Sequence, residues 1–150
     1  MTENTKLAID IAKKLRLCFD SHYNEIANNI DFQFKSFPNN SCEGASALLG
    51  GLLRNKLNTE DVFIVNIYSQ YLRGEHYFVE FEGLYYDLTF DQFGVDKKII
   101  IAEDKKYLDS ITTNRLSRMR VTNFLDDFYL QSENNKFNTE LALKNLNYHI

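Results

Sequence analysis

Tryptophan is absent, proline occurs once and cysteine only twice in this chain of 150 residues. Two cysteines are too few for a disulfide scaffold, so Cys18 and Cys42 are expected to be free thiols. No apolar run approaches the roughly 18 residues that span a bilayer. The first residues, Met1-Thr-Glu-Asn-Thr-Lys6, lack the basic-then-apolar layout of a secretory signal, and the expected location is cytoplasmic, with no membrane partner. Basic charge is also short. Seventeen Lys and Arg against 21 Asp and Glu give a net charge of -4, which argues against a protein whose main task is holding nucleic acid. The one basic cluster, Arg115 to Arg120, is interrupted by Leu116, Ser117 and Met119 and reads as the solvated face of a helix. No metal-ligand spacing joins His22, His76 or His149 to Cys42. Gly50-Gly51 falls inside a helical pattern, where a phosphate loop would need glycines before the helix and a lysine. Neither a metal nor a cofactor is expected.

What is present is ordinary for a globular chain. The hydrophobic share is 44% and the charged share 25%, and the length suits one domain over residues 1–150, burying roughly 70% of its unfolded surface. No repeat or Pro-rich linker divides it.

From Thr5 to Asn28 the residues Leu7, Ala8, Ile11, Ala12, Leu15 and Phe19 recur at spacings of three and four, the pattern of an amphipathic helix. Cys18 lies beside that stripe and reads as a small buried hydrophobe. Residues 31–40 read as an extended stretch ending in a turn at Pro38-Asn39-Asn40. A second helix is expected from Cys42, with Asn40 or Ser41 as cap and Glu43 in the first turn. The run Asp61 to Tyr68, rich in β-branched and aromatic residues, predicts a strand. His76 to Phe81 and Leu84 to Thr89, flanking Glu82-Gly83, predict a tight antiparallel hairpin. Lys97 to Ala102 supplies a further strand, followed by helices over 104–119, near 124–130 and from Thr139, with a loop at 132–138. The layout is α+β: N-terminal helices, a cysteine at the start of a helix, then an antiparallel sheet.

The chemistry rests on Cys42. A thiol attacks carbonyl carbon as its thiolate, which a helix N-terminus and a neighbouring imidazolium both favour. Backbone N–H groups at the same helix start can form part of an oxyanion hole. The hairpin supplies the imidazole. A two-residue turn at Glu82-Gly83 pairs Phe81 with Leu84, Val79 with Tyr86 and Phe78 with Asp87, so His76, Phe78 and Asp87 project from one face. His76 and Asp87 become diagonal neighbours, close enough for the carboxylate to fix the tautomer and leave the other nitrogen for the thiol. Glu80 falls on the same face, either near this group or exposed at the strand end. Gln92 is placed either to contact substrate or to hold the loop carrying Asp87.

The segment Pro38-Asn-Asn-Ser-Cys42, with His76-Tyr-Phe-Val-Glu80 running through Gly83 into Asp87-Leu-Thr-Phe-Asp-Gln-Phe93, resembles small bacterial and phage members of the transglutaminase-like, papain-like cysteine hydrolase superfamily. The likeness covers residues 31 to 103, about half the chain. It is carried by Pro-x-x-x-Cys, His-x-x-x-Glu and Asp-x-Thr-x-x-Gln-Phe, with Phe78 where a Trp often stands. It implies a papain-like fold with Cys42 as nucleophile, His76 as general base then acid, and Asp87 as the orienting carboxylate. Papain-type enzymes also place a glutamine upstream of the cysteine; here the nearest candidates are Asn39 and Asn40. Asn40 and Gln92 are the candidate oxyanion or substrate contacts. The expected substrate is a peptide or protein amide, cleaved through a thioester. Transfer of the acyl group to an amine, or a catalytically silent protein-binding role, remain open.

Overall fold

The computed structural model of the chain describes residues 1–94, 99–127, 137–146, 148 and 150. The apolar stripe of the N-terminal segment folds as α1 (Glu3–Asn29), with Thr2 capping its start by accepting from Thr5 N. Ala8, Ile11, Ala12, Leu15, Cys18 and Phe19 lie on its buried face with Ile26 and Ala27, whereas Leu7 of the expected stripe is exposed. Residues 31–40 are not extended. Asp31 accepts from Gln33 N and starts a 3-10 turn over Phe32–Ser36, which buries Phe34 and leaves Phe32 exposed. The chain then crosses a cis Phe37–Pro38 bond into α2 (Cys42–Leu57).

Among the described residues five strands form one antiparallel sheet in the order β4-β3-β2-β1-β5. They are β1 (Val62–Ser69), β2 (Gly74–Phe81), β3 (Leu84–Asp87), β4 (Ile100–Glu103) and β5 (Asn114–Arg120). The hairpin register is as the sequence predicts at Phe81↔Leu84 and Val79↔Tyr86. Glu82 and Gly83, both at positive φ (51° and 73°), make the tight turn whose twist suits a two-residue hairpin. Side-chain alternation divides the sheet into two faces. Ile64, Val79, Phe81 and Tyr86 join the main core with α1 and α2; Val65, Ile67, Phe78, Tyr85, Phe90, Ile100 and Leu108 form a smaller cluster on the other.

After β4 the structure departs from the sequence reading. In place of one helix over 104–119 there is a single helical turn, α3 (Lys106–Asp109), and then β5. Arg115 to Arg120 is therefore an edge strand. β1 has a second edge to fill, and β5 occupies it from Phe63↔Arg120 to Tyr68↔Asn114. Arg118 lies over the Phe63 ring at 3.7 Å and reaches Glu80, while Arg120 pairs with Asp61. Charge on an edge strand also discourages a further strand from adding.

Among the described residues two short helices follow, α4 (Val121–Asp126) and α5 (Thr139–Lys144). The expected start of the fourth strand at Lys97, the end of the helix near Leu130, most of the loop at 132–138 and His149 lie outside the described residues. Gly50 and Gly51 serve close packing. A Cβ on Gly50 would stand 2.8 Å from Val121 and 2.9 Å from Ile64, and one on Gly51 would stand 2.1 Å from Thr139 Oγ1.

Candidate active site

Cys42 is the first residue of α2 and is part-exposed, whereas Cys18 is wholly buried in the α1 face. Both are free thiols. Burial, with the charge of Glu25 added, pushes the Cys18 thiol up to about 12, so it stays protonated and inert at neutral pH. Ser41 occupies the cap position of α2, but its hydroxyl donates backwards to the Asn39 carbonyl at 3.1 Å and does not cap the helix. The first turn thus keeps its positive end turned to the thiol without a side-chain cap.

The hairpin brings His76 and Asp87 together. His76 Nε2 lies 2.5 Å from Asp87 Oδ2, and the two residues are 1% and 2% exposed. The carboxylate is held from its other oxygen as well, where Oδ1 accepts from Thr89 N at 3.1 Å and Thr89 Oγ1 at 3.3 Å. Gln92 Nε2 donates to that same Thr89 hydroxyl at 3.3 Å. Phe93 packs its ring edge-on to His76 at 4.9 Å, with Phe90 and Phe78 at 6.5 and 6.3 Å. The imidazole therefore has fixed orientation in a mostly apolar wall.

Burial alone would lower the His76 pKa. The charge and hydrogen bond of Asp87, followed by the proximity of Cys42, more than offset it and hold the ring at about 10. Nδ1, the nitrogen not facing Asp87, is buried and closes no hydrogen bond of normal geometry. Cys42 is thus near enough to act on the ring without being seated on it.

The surroundings of the thiol are acidic. Burial raises the Glu43 pKa, and the charges of Asp31 and Glu75 raise it further. Tyr77 is pushed up to about 12 by burial, then by Glu43, Glu75 and Cys42. Glu75 also accepts from Asn66 Nδ2 at 3.4 Å. Asp31 is buried with Oδ2 against Gly44, where a Cβ would stand 2.1 Å from it.

Of the residues singled out from sequence, His76 and Asp87 are paired, and Cys42 is near enough to act on the His76 ring. Asn40 sits two residues before Cys42 on an exposed turn, at φ 60°. Gln92 braces Thr89 and through it Asp87. Glu80 is tied to Arg118. Thr89 and Phe93 were legible only as members of the Asp-x-Thr-x-x-Gln-Phe run, and their geometry gives each a task. The acidic neighbours Asp31 and Glu75 carried no local signal. Among the described residues no group of three or more His, Cys, Asp or Glu is placed to hold a metal ion, and no helix is long and apolar enough to cross a membrane. No protein-family model, curated protein or solved structure matches the chain.

Proposed function

We propose that this chain is a cysteine-dependent amide hydrolase of the papain-like and transglutaminase-like kind, acting through Cys42, His76 and Asp87 on a peptide or protein substrate. The observation that carries the reading is the buried His76–Asp87 pair, which leaves Nδ1 unbonded beside a part-exposed thiol at a helix start. With its pKa held at about 10, His76 is an imidazolium at neutral pH and is poised to pair with a Cys42 thiolate. The thiolate adds to the amide carbonyl, and N–H groups at the start of α2 receive the oxyanion. His76 gives its proton to the leaving amine as the C–N bond breaks, leaving a thioester and a neutral imidazole. That imidazole then takes a proton from water, whose oxygen attacks the thioester and releases the acid and the Cys42 thiolate. Free thiols suit a reducing compartment, and we place the protein in the cytoplasm.

One observation favours a second reading, acyl transfer to an amine. Glu43 and Glu75 gather negative charge beside Cys42, where an ammonium acceptor would be drawn.

Iodoacetamide labelling with peptide mapping tests the common core of both. At pH 6 Cys42 should be alkylated at least about tenfold faster than free cysteine, and His76→Ala should remove that advantage. Cys18 should stay unlabelled in the folded protein. Labelling of Cys42 at the rate of free cysteine, indifferent to His76, would leave a binding domain in place of an enzyme.

A further inference from the structure

Arg16 stands on α1, 72 residues in sequence from the loop it grips. Its guanidinium is largely buried, with a side-chain exposure of 14%. Nη1 donates to the Leu88 carbonyl at 2.6 Å and to Asp91 Oδ1 at 2.8 Å, Nη2 donates to Asp91 Oδ2 at 2.7 Å, and Nε donates to Asp20 at 3.0 Å. Leu88 directly follows Asp87, and Asp91 lies in the 3-10 turn Phe90–Phe93, whose two phenylalanines pack on His76 and whose Gln92 braces Thr89. The same guanidinium lies 4.9 Å from the centre of the Phe37 ring. Phe37 precedes Pro38 at the head of the turn that delivers Cys42, and it is itself clamped among Phe19, Phe34 and Tyr23.

One side chain therefore touches the segment just after Asp87, whose carboxylate and phenylalanines hold His76, and the segment that leads through Pro38 to Cys42. Only a planar fork can make the bidentate contact with Asp91, reach a third acceptor and present a flat face to an aromatic ring at once. We propose that Arg16 is a positioning residue that sets the separation of the Cys42 thiol from His76 by bridging the Phe37 turn to the Leu88–Asp91 loop. The inference rests on the Cys42–His76 reading above. It assigns no contact with substrate to Arg16. Arg16 acts through where it holds the two segments, and a displacement of about 1 Å between reacting groups can cost about a hundredfold in rate.

The test compares Arg16→Lys and Asp91→Asn with the wild type and His76→Ala, measuring iodoacetamide labelling of Cys42 across pH 5 to 9. Only molecules whose Cys18 remains unmodified are counted, so each reading comes from folded protein even if a variant is partly unfolded. Asp91→Asn keeps the shape of the side chain and removes the charge pairing, and it carries the test if Arg16→Lys unfolds. The expected result is that both variants lose about tenfold of the low-pH labelling of Cys42, approaching His76→Ala, while Cys18 stays protected. Thermal midpoints that fall while the Cys42 pH profile stays that of the wild type would show a merely structural clamp and overturn the proposal. Labelling that depends on His76 but ignores Arg16 and Asp91 removes this inference alone. Wild-type labelling that ignores His76 removes both the inference and the reading beneath it.

Discussion

Asp87 is gripped at both oxygens, by His76 on one side and by the backbone and hydroxyl of Thr89 on the other. The hydroxyl is the link on which Gln92 also closes. Thr89→Val keeps the shape and the backbone donor but removes that link, so Asp87 Oδ1 loses one of its two donors and Gln92 Nε2 loses its acceptor. It should cost about 1–3 kcal/mol in urea unfolding and slow Cys42 labelling at pH 6. His76 gives a prediction in pH. Its folded-state value of about 10 lies above the roughly 6.5 of an unfolded histidine, so the stabilisation from the pair is fully present below pH 6.5 and is lost as the pH rises through 10. Urea titrations should show wild-type stability falling between those limits relative to His76→Gln; parallel profiles would count against a charged pair. The three members of the group were legible in sequence because each sits at a local landmark: a helix start, a strand and the far arm of a tight hairpin. Arg16 was not, because its role arises from contacts with a loop 72 residues away in the chain, which no local spacing encodes.

At the scale of elements, α2 starts at Cys42, and its two glycines let α4, α5 and β1 approach closely. Gly51→Ala would gain about 1 kcal/mol of helix propensity but would drive a Cβ into Thr139 Oγ1, an overpacking worth about 1–3 kcal/mol. A net loss of stability is expected. Adding Thr139→Ala should recover part of it, a coupling that a double-mutant cycle measures. The hairpin turn has a parallel cost. Gly83 at φ 73° holds a backbone state that L residues seldom take, and Gly83→Ala should destabilise by about 1 kcal/mol by the same unfolding measurement. The Glu82-Gly83 signal gave the hairpin register from sequence. Two elements were misread. Residues 31–36 alternate in pattern, yet the Asp31 side chain caps a 3-10 turn that an alternation count does not see. Residues 114–120 are helix formers whose strand has no fully buried side chain, and only the free edge of β1 makes them pair.

For the whole molecule, the sheet separates two duties. One face seals the main core against α1 and α2, and the other carries His76 and Asp87 in a small aromatic cluster. α1 reaches both duties, since its buried stripe fills the core and Arg16 grips the loop behind Asp87. The α+β order of elements followed from periodicity and turn residues; the way α1 links to the Asp87 loop did not. The central claim is that Cys42, activated by His76, forms and clears an acyl intermediate. Mass spectrometry of the protein mixed with p-nitrophenyl acetate tests it directly. The account predicts a transient acetyl adduct on Cys42 that clears with turnover, is absent in Cys42→Ala and forms at least about tenfold more slowly in His76→Ala. Acetylation of Cys42 no faster than that of free cysteine, or unchanged without His76, would contradict it.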